Sequence, residues 1–247
     1  MRMCRPSGPW LGTALVLLLL AGTAPRAAVG QNADVQSLLD RAEAAGADAE
    51  QMRLVAKRAR RAGLSAEATA SLLRPAVALA EQELPSGPLL SKTLEGLAKQ
   101  VPPARMQPVL EQYRTHTEQA GQLVTQWTQQ AEVQQFLGAS DELPQEASTK
   151  RHAPLVTAAA EAQQQDLPVQ NLKTFLDGLP ANVKRRPVPI DQVAAAVNVL
   201  PDLPRNGASP ETARQLLTSA LNAGYSPESL RQLPSALQSA QRKSQRP

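Results

Sequence analysis

The chain has 247 residues, a formal charge of +4 and a single cysteine, and aromatic residues make up only 2% of it. Arg2, Arg5 and Arg26 supply three of those four charges, so the remainder is nearly neutral and carries no general nucleic-acid footprint. Cys4 cannot form an internal disulfide, and because it precedes the apolar run it is also excluded as the lipid-bearing cysteine of a bacterial lipoprotein.

Residues 1–30 read as a secretory signal peptide. Arg2 and Arg5 form a positive start, and Leu11 to Ala24 is an uncharged apolar run of 14 residues. A bilayer span needs roughly 20, which disfavours the alternative of an uncleaved anchor. Ala28-Val29-Gly30 before Gln31 supplies the small-x-small pattern of a cleavage site, whereas Pro25 opposes cleavage after Ala24. The expected protein is exported, periplasmic or secreted, and loses Cys4 with the leader. In the 217 residues left when 30 of the 247 are removed, Ala, Leu, Gln and Glu dominate and β-branched residues are sparse. That composition predicts an all-α fold, with a core of Leu, Val and Ala that buries little area per side chain.

Residues 31–102 are predicted as an N-terminal block of short helical hairpins. Gly46-Ala47-Asp48-Ala49-Glu50 and Gly63-Leu64-Ser65-Ala66-Glu67 share a phrase that recurs at Gly207-Ala208-Ser209-Pro210-Glu211 and Gly224-Tyr225-Ser226-Pro227-Glu228. The glycine ends one helix in the left-handed conformation, and Asp or Ser two residues on caps the next. Proline or glutamate in the first turn suits the free N–H groups and the helix dipole. Leu84-Pro85, Val101-Pro102-Pro103, Leu167-Pro168 and Val188-Pro189 are weaker versions of the junction. Capping positions then fall at 48, 65, 85 and 102, and again at 168, 189, 209 and 226. Paired units make hairpins of 37 to 41 residues, a length found among stacked helical repeats. An irregular bundle reusing one capping chemistry is the alternative.

Residues 103–137 are predicted as a long central helix of about 50 Å. Met106, Leu110, Tyr113, Thr117, Ala120, Val124, Trp127 and Ala131 follow alternating steps of 4 and 3, a seam for lengthwise packing. It can pack on residues 153–166 of the same chain or on a second copy in a homodimer. The polar stretch 138–152 reads as a linker, 153–240 as a C-terminal hairpin block and 241–247 as a disordered tail.

No residue pattern assigns catalysis, a cofactor or a metal. His116 and His152 belong to no His/Cys cluster and read as solvated. Ser65 lacks the second glycine and the preceding strand of a nucleophile elbow, and capping explains it. Glu81/Glu83 and Asp141/Glu142 are carboxylate pairs of the kind glycoside hydrolysis uses. The Glu-Ser and Gly-Leu-Met-Gln-like segments of a lytic transglycosylase are missing. Lys57-Arg58-Arg60-Arg61 and Lys184-Arg185-Arg186 are basic runs that suit either solvent or an anionic lipid or acidic partner.

Leu84-Pro85, Pro88-Leu89, Lys92, Glu95-Gly96-Leu97-Ala98-Lys99, Val101-Pro102-Pro103 and Arg105 together resemble a phrase of an uncharacterised family of exported bacterial helical proteins. The likeness spans residues 34–115. It implies bacterial export and helical hairpins and carries no activity; Gly96 and Lys99 would have packing roles. The expected function is that of a non-enzymatic interaction or scaffold protein of the bacterial cell envelope, bound to an envelope protein or peptide. A peptidoglycan-acting enzyme is the alternative.

Overall fold

In the computed structural model, which describes residues 27–138 and 145–244, the local chemistry of the helix ends is explicit. Asp48, Ser65, Ser209 and Ser226 each accept a hydrogen bond from the backbone N–H three residues on, at 3.0 to 3.2 Å. They start α2 (Ala49–Arg61), α3 (Ala66–Glu81), α11 (Pro210–Asn222) and α12 (Pro227–Ser244). Helices α5 (Pro103–Thr128), α8 (Val169–Asn182) and α9 (Ile190–Val199) begin directly after Pro102, Pro168 and Pro189, as the spacing predicts. Helix α4 (Gly87–Ala98) begins one residue later than expected, behind Ser86. The other helices are α1 (Ala27–Ala44), α6 (Ala131–Leu137), α7 (Gln145–Gln164) and α10 (Asp202–Arg205), and no strand occurs among the described residues.

The stop signal is more general than its glycines. Gly46, Gly63, Gly207 and Gly224 are left-handed, and so are Glu83, Gln100 and Asp166, at φ 57°, 56° and 66°. All seven sit two residues before a predicted capping position. At each, this residue's N–H bonds to the carbonyl three back and the next N–H to the carbonyl five back, as in Gln100 to Leu97 (3.1 Å) and Val101 to Gly96 (2.9 Å). These are Schellman closures. The junction before Pro189 differs because Pro187 holds the equivalent place and its ring fixes a negative φ. There the chain runs on through Val183, and Val188 N–H bonds to Phe136 O at 3.0 Å.

Helices α1, α3, α5, α7, α9 and α12 form one row, each packed on the next, while α2 lies on α4 and α8 touches both α6 and α11. Two apolar clusters result. One runs from Val35 to Tyr113, the other from Ala120 to Leu230, and Leu84 packs against both. Their border therefore falls inside α5, which belongs to both cores instead of joining two separate blocks. Alanines let α7 and α9 approach closely, with Ala158, Ala159, Ala162, Ala194, Ala195 and Ala196 all buried. Gly96 has the packing role expected of it: a side chain there would meet the Met106 Cε at 2.7 Å. Lys99 instead points outward to an ion pair with Glu95.

Three boundaries are corrected. The helix expected over 103–137 breaks at Gln129-Gln130, so α5 ends at Thr128. Phe136 is nine residues beyond Trp127, and in an unbroken helix it would lie about half a turn away, on the opposite face. The break brings both into one core, ring centroids 6.3 Å apart and edge to face. The linker expected over 138–152 is helical from Gln145, because Gln, Glu and Lys are good helix formers; 139–144 lie outside the described residues. The tail expected from 241 continues α12 to Ser244, again through good helix formers such as Gln241, Arg242 and Lys243. Of the expected leader, residues 1–26 lie outside the described part and 27–30 begin α1.

Candidate functional site

The seam on α5 is filled from within the chain. Met106, Leu110, Tyr113, Thr117, Ala120, Val124 and Trp127 are all buried, between α3 on one side and α7 on the other. The seam on which the expected homodimer would pair is thus occupied within the chain. Ala131 falls past the end of α5 and is exposed.

The same seam corrects the reading of the histidines as solvated. His116 is half-buried, its Nδ1 enclosed without a hydrogen-bond partner among the described residues. Burial pushes it below the usual histidine range, partly offset by Asp166. Tyr113 Oη and Gln163 Nε2, on the facing helices α5 and α7, are also buried and have no hydrogen-bond partner among the described residues. Burial raises the Tyr113 phenol well above its ordinary value, with the Glu161 carboxylate adding to the effect. The tyrosine had a legible apolar role; that its hydroxyl is buried follows only from the helix packed against it.

His152 lies elsewhere, on the wall of a cleft of about 470 Å³ where the α3–α4 turn meets α5, α6 and α7. Its walls include Gln82, Glu83, Thr125, Gln129 and Gln134. Burial, reinforced by Arg151, lowers the His152 pKa and so favours the neutral imidazole. Gly121 keeps the cleft floor low, because a side chain there would strike Leu84. Three more open grooves occur: about 560 Å³ between the α1–α2 and α3–α4 turns, about 620 Å³ between α3 and α5, and about 580 Å³ between α8 and α11.

Glu81 and Glu83 both border the groove of about 560 Å³, while Ser65 lines none of the four. Ser65 Oγ accepts the Ala68 N–H at 3.1 Å, a capping bond. Glu81 pairs with Arg41 at 2.7 Å, and Glu83 occupies the left-handed turn position. Asp141 and Glu142 lie outside the described residues. Among the described residues no group of three His, Cys, Asp or Glu is placed to hold a metal ion.

The two basic runs differ in their surroundings. Arg186 donates to Pro180 O (2.7 Å) and to Gln135 (3.1 Å), and the Arg185 guanidinium covers Gly224, so the second run ties the α8–α9 loop to its surroundings. On α2, Met52, Val55, Ala56 and Ala59 face inward and Arg53, Lys57, Arg58, Arg60 and Arg61 outward. Arg53 pairs with Glu43 at 2.6 Å. Lys57, Arg58, Arg60 and Arg61 make no side-chain hydrogen bond or ion pair among the described residues, and Leu54 stands between them, 37% exposed. Among the described residues, no helix is long and apolar enough to cross a membrane. No protein-family model matches the chain, and no curated protein or solved structure is significantly similar to it.

Proposed function

We propose that this is a non-enzymatic interaction protein exported to the bacterial cell envelope, where the row of helices serves as a scaffold for an envelope protein or peptide. The leader pattern of residues 1–30 and the resemblance over residues 34–115 support export. The observation that carries the interaction reading is the set of grooves between neighbouring helices. The one between α8 and α11, about 580 Å³, is walled by Thr174, Glu211, Arg214, Gln215, Thr218 and Asn222, which can donate and accept hydrogen bonds along a bound segment. Stacked helices present such extended surfaces on rigid elements. The immobilised protein is expected to retain a defined partner from envelope extract, and Thr218→Arg, which fills the groove, is expected to abolish retention. Retention unchanged by Thr218→Arg would count against the reading.

One observation favours the peptidoglycan-acting alternative: Glu83 and His152 border the same cleft. Incubation with purified peptidoglycan separates the two. The scaffold reading expects no soluble fragments, and fragments whose release disappears in Glu83→Gln would establish the enzyme instead.

A further inference from the structure

Of the five cations of α2 only Arg53 has an ion pair among the described residues, to Glu43. A helix of 13 residues carries five basic side chains on its outward side and one carboxylate, Glu50, in its first turn. Favourable interaction with the helix dipole reaches only the last turn, which accounts for Arg58, Arg60 and Arg61 but not for Lys57. The inner side of α2 is already packed on α1, α3 and α4, so the helix is held rigidly with its charges outward. None of the four grooves described above is lined by Arg53, Leu54, Lys57, Arg58, Arg60 or Arg61. These cations stand out from one helix as a ridge of exposed side chains. A peptide needs a groove to bury its side chains, whereas a bilayer surface is a plane of phosphates that a ridge can lie against.

We infer that α2 docks the protein on an anionic phospholipid bilayer, with Lys57, Arg58, Arg60 and Arg61 meeting headgroup phosphates and Leu54 resting at the interface. This goes beyond the scaffold reading and shares only its premise that the chain reaches the envelope. The apolar face of α2 stays in the protein core, so the contact is electrostatic and reversible. It weakens as the screening length falls from about 10 Å at 0.1 M salt to about 3 Å at 1 M. Each cation near such a surface strengthens binding about fivefold, so four together change partitioning by several hundred-fold.

The test is co-sedimentation of the protein, in the form the producing cell accumulates, with phosphatidylglycerol/phosphatidylcholine vesicles and with phosphatidylcholine vesicles. Binding is expected only to the anionic vesicles and is expected to vanish at 1 M salt. The variant Lys57→Gln/Arg58→Gln/Arg60→Gln/Arg61→Gln should lose it by several hundred-fold, and Arg58→Lys/Arg60→Lys/Arg61→Lys should keep it. Circular dichroism of both variants controls for folding. Equal binding to neutral vesicles, binding that survives neutralisation, or no vesicle binding would overturn the inference. So would retention on soluble polyglutamate with none on vesicles, which would assign the ridge to an acidic protein. Partner retention through the α8–α11 groove is read separately, so either proposal can fail without the other.

Discussion

Gln100→Gly and Gly63→Ala perturb one backbone geometry in opposite directions. Both residues close a helix in the left-handed region, at φ 56° and 74°, and both are exposed. A side chain at Gly63 would meet nothing within 4 Å, so Gly63→Ala introduces backbone strain without a clash. A residue with a Cβ pays roughly 1–2 kcal/mol for this conformation, while glycine's extra freedom in the unfolded chain returns about 0.5–1 kcal/mol. Gln100→Gly should therefore stabilise the protein by about 0.5–1 kcal/mol, and Gly63→Ala should destabilise it by a similar amount. At about 2–4 °C per kcal/mol for a chain of this size, the melting temperatures should move by about 1–4 °C in opposite senses. Thermal and urea unfolding followed by far-ultraviolet circular dichroism reads both, and Gln100→Asn should fall between wild type and glycine because asparagine tolerates this region. If both substitutions shift stability in the same direction, the left-handed closure is not what they report.

Trp127 offers a second test. Pro180 lies inside α8 and has no N–H for the carbonyl of Leu176, and the Trp127 indole N–H takes that place at 3.0 Å. Trp127→Phe should cost about 1–3 kcal/mol, measured as a lower urea midpoint, and the cost should shrink in a Pro180→Ala background, where the helix donor is restored; equal costs in both backgrounds would sink the idea. The histidines give a third. The pKa values of His116 and His152 lie below the ordinary histidine value of about 6.5, and burial is the first cause of both shifts. Below that value the unfolded chain binds more protons than the folded one, so stability is intact above it and declines as pH falls towards the lowered folded values. The urea midpoint should drop between about pH 7.5 and about pH 5.5, with a shallower drop in His116→Gln/His152→Gln. An identical slope in that variant would place the pH dependence elsewhere.

The two basic runs show where sequence stops being informative about a surface. Lys57-Arg58-Arg60-Arg61 and Lys184-Arg185-Arg186 are alike as strings of cations. Only the placement of Pro180 O and Gln135 around Arg186, and of Gly224 beside Arg185, sets the second run apart from the first. The histidines repeat the lesson, since neither the burial of His116 nor the cleft beside His152 leaves a mark on neighbouring residues in the chain.

By itself the sequence determined the all-α class, seven of the eight capping positions and the buried seam of α5. Caps and Schellman closures join groups at most five residues apart, and the seam follows from helical periodicity, so both are encoded locally. Even here glycine was an incomplete guide, because Glu83, Gln100 and Asp166 adopt the same conformation once the two flanking hydrogen bonds close. Tertiary structure alone decided the break at Gln129-Gln130, the sharing of α5 between two cores, the rescue of the Leu176 carbonyl by Trp127 and the exposure of the α2 ridge. Each depends on groups far apart in the chain, and their meeting is set by how whole helices pack.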